Sequence, residues 1–448
     1  MITAFSSRNA LNEETPVVVI GGGLAGCEAA WQLACRDVPV LLYDMKPKRF
    51  SPAHRSPHLA ELVCSNSLRS NDPASAVGLL KEEMRRCASL IMEAADNTAV
   101  PAGKALAVDR SLFSLAVEER LTHHPLITVQ YEECREVPER GIVIIATGPL
   151  TSSPLADAVS SLIQADYLSF YDAIAPIIEG DSIDDNRIFR ASRYDADSDD
   201  YINCPMTEEE YHRFYHELTC AETVPLWDFE NARCFEGCLP IEVLADRGEK
   251  TLLFGPMKPV GLVDPRTGRQ PFAVVQLRKE NRESTLFNIV GFQTKLTRPE
   301  QKRIFSLIPG LEEARFARYG AIHRNTFINA PRVLTPLLQF TGRHDLFFAG
   351  QITGVEGYVE STASGLLAGL YTACLYKGSK PIPPPRETAL GALTYHIAST
   401  ESTTFQPMNV NFGLFPPLGK RLRKRERGTH YARRALDALD TWLDMVSD

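Results

Sequence analysis

A glycine-rich turn between two short apolar runs constrains the fold of this 448-residue chain more than any other feature. Val17–Ile20 are apolar and β-branched, which is typical of a buried parallel strand. Gly21, Gly23 and Gly26 follow in the spacing G-x-G-x-x-G. They permit a tight turn, close approach of a pyrophosphate to the backbone, and close packing of the next helix, predicted over 24–35. The order of strand, turn and helix predicts a dinucleotide-binding βαβ unit.

An acidic residue ends the second apolar run of this unit. Residues 38–43 predict a strand, and Asp44 follows where a carboxylate accepts hydrogen bonds from the two hydroxyls of an adenosine ribose. A carboxylate disfavours a 2′-phosphate, so FAD or NAD is expected rather than NADP. A βαβ unit without a ligand has no need of this acid. The residues assigned to the dinucleotide are Gly21, Gly22, Gly23, Leu24, Ala25, Gly26 and Asp44.

A second strand–turn–helix pattern occurs late in the chain, over residues 345–369. The apolar run LFFAG leads into a glycine-punctuated turn and then a helix rich in small residues. This segment resembles the part of FAD proteins that closes the flavin site, with a helix N-terminus near the isoalloxazine ring. We therefore assign Gly350, Gln351 and Gly354 to the flavin end. The buried run at 141–148, which ends in Ala-Thr-Gly, also resembles a strand of FAD proteins.

The two patterns predict one discontinuous domain. Residues 1–180 and 331–448 are assigned to dinucleotide binding, and 181–330, which begins with acidic, aromatic and irregular sequence, to an inserted domain. Helical periodicity predicts a helix over about 74–95. Between 420 and 434 there are eight Lys or Arg and one acid. This basic tail predicts either a solvated face or a surface that contacts nucleic-acid phosphates.

The composition is that of an ordinary globular protein, with 44% hydrophobic and 23% charged residues. No apolar run reaches the roughly 18–20 residues that span a bilayer. Residues 1–14 are polar and lack the apolar core of a signal peptide. We therefore expect a cytoplasmic protein without membrane contact. The net charge of −8 does not indicate overall nucleic-acid binding, but a local basic surface depends on patches rather than totals.

Two of the ten cysteines stand out from the others, which we expect to be small core residues. Cys64 lies in the polar segment CSNSLRS, where a helix N-terminus or Arg69 facing the thiol would lower its pKa. Cys238 ends FEGC on a predicted tight turn. The cysteine spacing fits neither a zinc site nor a disulfide scaffold. His212 and His216 are i, i+4 neighbours without an evident third ligand, so no metal site is expected.

Several segments together resemble one family over roughly residues 16–430. They include CSNSLRS, VPAGKALAVDR, FEGC, GPMKPVGLVDPRTG and GQITGVEGY. The family is that of the folate- and FAD-dependent tRNA (uracil-5-)-methyltransferases, which make 5-methyluridine in the T-loop of bacterial tRNA. The resemblance implies an α/β fold, with a glutathione-reductase-like FAD-binding Rossmann domain, discontinuous, and an inserted α/β domain. Where many FAD proteins have Gly-Asp, this chain has Gly350-Gln351, as the family does.

The resemblance also implies a chemistry. Methylenetetrahydrofolate donates the carbon, reduced FAD supplies electrons, NADH or NADPH re-reduces the flavin, and the T-arm of tRNA is the substrate. A cysteine thiolate adds to uracil C6 so that C5 can attack the one-carbon unit. Cys238 is our candidate for this nucleophile and Cys64 for a second thiol nearby, although the residues alone leave their order open.

Two other functions remain as alternatives on the residues alone. One is a small-molecule oxidoreductase that uses FAD and NAD. The other is the related flavoprotein of wobble-uridine modification in tRNA, which resembles the first glycine motif.

Overall fold

The computed structural model describes residues 15–164, 168–193, 198–225, 239–398, 405–419 and 423–447. The strands are β1 (Val17–Ile20), β2 (Val40–Tyr43), β3 (Ser67–Ser70), β4 (Ala99–Val100), β5 (Ala105–Val108), β6 (Ile127–Gln130), β7 (Val143–Ile145), β8 (Leu168–Ile174), β9 (Ile177–Glu179), β10 (Phe189–Arg190), β11 (Tyr201–Met206), β12 (Ala273–Lys279), β13 (Leu286–Ile289), β14 (Phe316–Arg318), β15 (Ala321–Phe327) and β16 (Leu346–Phe348). The helices are α1 (Leu24–Ala34), α2 (Ala76–Arg86), α3 (Leu90–Asn97), α4 (Arg110–Thr122), α5 (Ser153–Ile163), α6 (Glu208–Thr219), α7 (Ile241–Asp246), α8 (Thr251–Phe254), α9 (Arg298–Phe305), α10 (Ala330–Val333), α11 (Tyr358–Tyr376), α12 (Ala389–Ala398) and α13 (Lys424–Ser447).

A parallel sheet forms the centre of the molecule, in the order β16–β7–β1–β2–β6. Its strands are short apolar runs, which suits strands covered on both faces. Because the strands are parallel, their carboxyl ends meet at one edge. Gly21, Asp44, Ala146 and Gly350 follow four of these ends within two residues. The predicted α/β fold is confirmed, and its two anchor patterns lie side by side.

Small residues bring α1 and α11 into direct backbone contact. A Cβ on Gly365 would lie 2.1 Å from the carbonyl O of Ala25, and one on Gly369 would lie 2.8 Å from that of Ala29. Both distances are too short for any side chain, so only glycine permits this packing. The late segment is therefore part of the same unit as the first βαβ motif.

The single helix expected over 74–95 is wrong, because the chain forms α2 and α3 with a break between them. Ala88 adopts the left-handed conformation with φ of 55°. Ser89 then caps α3, since its hydroxyl accepts the N–H of Met92 at 3.2 Å. The apolar periodicity continues through the break, which is why the pattern did not show it.

An antiparallel sheet lies in the inserted part of the chain, in the order β10–β11–β12–β13–β9–β14. It has its own apolar core with α6 and α9. The antiparallel pair β8 and β15 joins this sheet to the parallel-sheet unit. β9 begins at Ile177, four residues before the predicted boundary at 181. Among the described residues, no helix is long and apolar enough to cross a membrane.

Candidate active site

A cavity of about 540 Å³ runs from the glycine turn to the inserted sheet. Its walls come from the carboxyl edge of the parallel sheet, the N-terminus of α11, the CSNSLRS segment and strands β8, β12, β13 and β15. Of the residues assigned from sequence, those lining it are Gly21, Gly22, Gly23, Leu24, Ala25, Asp44, Cys64, Gly350 and Gln351. The structure therefore brings both anchor patterns and one of the two cysteines to a single cavity.

The geometry of the glycine turn fits a dinucleotide. A Cβ on Gly22 would lie 2.3 Å from Oδ2 of Asp44, so only glycine lets the turn pass over this carboxylate. A Cβ on Gly23 would meet nothing within 4 Å, which leaves open space in front of α1. No side chain caps α1, so its first N–H groups remain available to an anion.

Asp44 is well placed for the ribose. It is 7% exposed, and its Oδ1 accepts the N–H of Lys46 at 2.7 Å. Burial raises the pKa of Asp44 above its usual value. The carboxylate still has lone pairs free toward the cavity, which is what two ribose hydroxyls require.

Gly26 and Gly354 do not line the cavity. A Cβ on Gly26 would lie 1.8 Å from the carbonyl O of Gly21, so this glycine permits close packing of helix on turn. A Cβ on Gly354, at φ of 82°, would lie 2.3 Å from the ring of Phe405. Both residues shape the site through packing.

Cys64 is held by a tyrosine from the other end of the chain. The hydroxyl of Tyr358 accepts the N–H of Cys64 at 2.7 Å and that of Ser65 at 3.2 Å. It also donates to Sγ of Cys64 at 3.1 Å. Burial raises the pKa of Tyr358, so the hydroxyl keeps the proton that it donates. Tyr358 is the first residue of α11 and was not recognised from the sequence.

The sequence predicts a lowered pKa for Cys64 only if a helix N-terminus or Arg69 faces the thiol, and the structure shows the opposite shift. Burial, and then the charge of Asp172, raise the pKa of Cys64 to about 11. Arg69, the expected neighbour, instead forms an ion pair with the buried carboxylate of Glu360. Arg110 and the hydroxyl of Tyr358 act in the opposite direction but less strongly. The thiol is thus neutral in the ligand-free protein.

Two carboxyl groups line the cavity beside this thiol. Glu356 is 6% exposed, and its Oε2 accepts the amide of Gln351 at 2.7 Å. Asp172, on β8, faces the amide of Asn325 at 3.5 Å. Burial, and then the charge of Asp172, raise the pKa of Glu356 well above its usual value. A buried carboxyl group whose pKa is raised by a second carboxylate is an arrangement that enzymes use for acid and base chemistry.

The inserted sheet supplies the opposite wall. Arg278 donates to Oγ of Ser65 at 2.9 Å and to Oδ1 of Asn66 at 3.0 Å, which ties the CSNSLRS segment to β12. Asn288 lies directly across from Arg278 on β13 and is 4% exposed. Within the described part of the chain, its amide nitrogen has no hydrogen-bond partner. Buried donors are normally paired, so this amide is available to a ligand oxygen.

Cys238 lies outside the described residues, as does part of the basic tail. Ile241, three positions later, donates its N–H to the carbonyl O of Gln293 at 2.7 Å, and Gln293 lines the cavity. His212 and His216 are exposed on α6, and the described residues contain no cluster of groups that could hold a metal.

Sequence reasoning also missed Asp172, Glu356 and Asn288. Each is a single polar residue in an otherwise unremarkable strand or turn, and no spacing marks it. Glu356 lies in GQITGVEGY, and Asp172 lies in FYDAIAPI at 170–177, a further segment that carries the family resemblance. The signal for the acids was therefore membership of a motif rather than any periodic pattern.

Comparisons with known proteins identify the family of this chain. A family model described as glucose inhibited division protein A matches residues 16–380. A Syntrophus aciditrophicus protein named methylenetetrahydrofolate–tRNA-(uracil-5-)-methyltransferase TrmFO is 61% identical over 98% of this chain and 99% of its own length. A protein of the same name from Geobacter sulfurreducens is 61% identical over 96% and 99%. The solved structure of Aquifex aeolicus GidA has a TM-score of 0.70 at 16% identity, covering 97% of this chain and 74% of its own, which shows the same fold.

Proposed function

Because this chain belongs to the glucose-inhibited division protein A family, and within it to the methylenetetrahydrofolate–tRNA-(uracil-5-)-methyltransferases, we propose that it methylates C5 of a uracil in tRNA. The carbon donor is methylenetetrahydrofolate and the flavin is FAD. NADH or NADPH re-reduces the flavin, and the target uridine lies in the T-loop. Since a uracil within a folded loop is stacked, it has to turn outward to reach the cavity.

One observation carries this proposal: a single cavity joins a dinucleotide turn to a thiol and a carboxyl pair. A small-molecule oxidoreductase also needs the turn, and flavin-dependent thiol chemistry uses a cysteine near the ring, so the thiol by itself does not separate the two functions. The wobble-uridine alternative rests on the shared fold and the first glycine motif, without the FEGC segment that this chain has. The two relatives at 61% identity favour uracil methylation over both alternatives.

The residues that hold FAD in this proposal lie along the carboxyl edge of the sheet. The first turn of α1 binds the pyrophosphate, Asp44 binds the adenosine ribose, and Gly350 with Gln351 border the flavin end. Reduced FAD supplies the electrons that convert the transferred methylene unit to a methyl group. A Cβ on Gly350 would lie 3.0 Å from Cβ of Ala25, so glycine keeps this end of the site open.

A thiolate is required because uracil C5 is a weak nucleophile. Addition of the thiolate to C6 moves the electron pair of the C5–C6 double bond onto C5. C5 then attacks the one-carbon unit. We retain Cys238 as the nucleophile and Cys64 as the second thiol. The hydrogen bond from Tyr358 stabilises a thiolate at Cys64, which lets this residue exchange a proton with bound substrate.

The carboxyl pair then completes the reaction. After transfer, the proton on C5 passes to the ionised member of Asp172 and Glu356. The electron pair of the C5–H bond forms a double bond to the transferred carbon as the bond from that carbon to the folate nitrogen breaks and tetrahydrofolate leaves. Two-electron reduction of that carbon, for which bound FAD would supply the electrons, re-forms the C5–C6 double bond and expels the thiolate. Proton removal of this kind is worth roughly 10²–10⁴-fold in rate when the base is well placed.

The test uses a T-arm transcript that carries tritium at uridine C5. The FAD-loaded protein is incubated with methylenetetrahydrofolate and NADH, and tritium released to water is counted. We expect folate-dependent release, loss of release in Cys238→Ala, and unchanged release in Cys220→Ala, an exposed thiol that does not line the cavity. Absence of release from folded, FAD-loaded parent protein would contradict the proposed function.

A further inference from the structure

A second cavity, of about 200 Å³, lies next to the first. Its lining residues are Arg55, Val224, Lys295, Leu296, Arg298, Gln301, Tyr319, Gly320, Ala321 and Ile322. Adjacent residues of the chain face the two cavities: His54 lines the first and Arg55 the second, and His323 lines the first and Ile322 the second. Only one loop and one strand therefore separate the two spaces.

The lining is strongly cationic. It contains Arg55, Lys295 and Arg298 and no acidic residue, in a chain whose net charge is −8. Lys302 lies one turn beyond Arg298 on α9, and Arg324 follows Ile322 on the same face of β15. Both side chains are exposed. A group of this kind fits a ligand with several negative charges.

Four cations at or beside this cavity have no carboxylate ion-pair partner within the described parts of the chain. Arg55, Arg298, Lys302 and Arg324 form no ion pair with any described acid, whereas Lys48, Arg49, Arg187, Arg303 and Arg315 on the same protein each do. Cations without an ion-pair partner increase the affinity of a site for a polyanion, because no existing ion pair has to be broken when the polyanion binds.

Tyr319 lines the second cavity and is packed against a second aromatic ring. The rings of Tyr319 and Phe316 are stacked at 4.8 Å with an angle of 8° between them. The guanidinium of Arg298 lies over Tyr319, 5.8 Å from the ring centre. This contact holds Arg298 at the cavity rather than free in solvent.

We propose that the second cavity and its surrounding cations bind the ribose-phosphate backbone of the substrate RNA next to the target uridine. The inference rests on the proposed function, because a uracil in the first cavity keeps its backbone outside, at the rim. Folate also carries carboxylates. However, the four cations without an ion-pair partner among the described residues, Arg55, Arg298, Lys302 and Arg324, are more than one glutamate tail requires.

The test removes two of these charges in the full-length, FAD-loaded protein. Binding of a T-arm transcript is titrated directly across salt concentrations for the parent and for the double variant Arg55→Gln, Arg298→Gln. Each phosphate contact contributes about 0.7–0.9 to the salt slope, so the slope should fall by about 1.6 and the Kd should rise roughly 20-fold at 0.15 M salt. The visible FAD spectrum should stay unchanged.

The matched control removes two exposed cations elsewhere, Arg140→Gln and Lys377→Gln. Arg140 precedes β7, at the amino edge of the parallel sheet, and Lys377 follows α11, whose 19 residues extend about 28 Å from the cavity. We expect the RNA Kd and the salt slope of this control to equal those of the parent.

Two results would overturn the inference. One is an RNA Kd in the test variant equal to that in the control. The other is a raised KM for methylenetetrahydrofolate with unchanged RNA binding, which would assign the cavity to folate carboxylates. Because the titration needs no turnover, failure of the parent to release tritium would count against the proposed function and leave the binding result readable.

Discussion

The hydroxyl of Tyr358 offers a sharp test of how the site is assembled. Tyr358→Phe removes one oxygen atom and with it three contacts, two from backbone N–H groups and one to Sγ of Cys64. The aromatic ring remains, so its packing against the cavity wall is kept. Any change in Cys64 can then be attributed to the lost hydrogen bonds.

The substitution should change two quantities, the free energy of unfolding and the pKa of Cys64. Leaving the N–H groups of Cys64 and Ser65 without an acceptor costs about 1–3 kcal/mol each, less where water in the cavity replaces the hydroxyl, so we expect a loss of about 2–4 kcal/mol in unfolding free energy. The lost bond to sulfur, worth about 1–1.5 kcal/mol to the thiolate, raises the pKa of Cys64 by about one unit from its value of about 11.

The assay is alkylation of Cys64 by iodoacetamide between pH 7 and 10, followed by peptide mapping because the exposed thiols of Cys35 and Cys220 react as well. Only the thiolate reacts, so below pH 11 the parent rate should rise about tenfold per pH unit without a plateau. At any pH in this range Tyr358→Phe should react about tenfold more slowly.

The matched control is Tyr371→Phe, on the same helix. Tyr371 is 1% exposed, and its hydroxyl has no hydrogen-bond partner among the described residues. Removing it should leave both stability and the Cys64 rate within error of the parent. Equal or faster alkylation of Cys64 in Tyr358→Phe, with the control unchanged, would refute the assigned role of this hydroxyl.

Three further predictions concern the cofactor and the base. Gly23→Ala should leave the melting temperature of the FAD-free protein unchanged, since its Cβ meets nothing within 4 Å, but should weaken FAD binding about tenfold or more in a fluorescence titration; unchanged binding would exclude the pyrophosphate from this turn. Asp44→Asn should raise the Kd for FAD about 10–100-fold, because a hydrogen bond to a charged acceptor is worth about 1.5–3 kcal/mol, and an unaltered Kd would remove Asp44 from the ribose site. Asp172→Asn should slow tritium release by roughly 10²-fold or more while flavin reduction by NADH continues, because burial and then the charge of Asp172 raise the pKa of Glu356 and Asp172 is therefore the member of the pair that acts as base; parallel loss of both activities would indicate a structural role.

How much of the structure can be predicted from the sequence depends on how far apart in the chain the interacting residues lie. The turn at Gly21–Gly26, the acid at Asp44 and the class of fold follow from neighbouring residues, because the period of a strand or helix and the steric demands of a glycine turn act over a few positions. The break at Ala88 escaped the same reasoning, since a left-handed residue within an apolar pattern leaves the periodicity unchanged. The assignments of FAD residues and of Cys238 remain predictions.

The sequence by itself determined which segments form the dinucleotide unit and marked Cys64 as unusual. Only the tertiary structure decided what surrounds that thiol. Tyr358 is 294 positions away in the chain, and Asp172 and Glu356 come from β8 and from the turn before α11. Burial, then the charge of Asp172 and more weakly that of Glu356, raise the pKa of Cys64, while the hydroxyl of Tyr358 acts against them. Electrostatic environment depends on distance in space, and local sequence patterns do not specify which distant segments pack together.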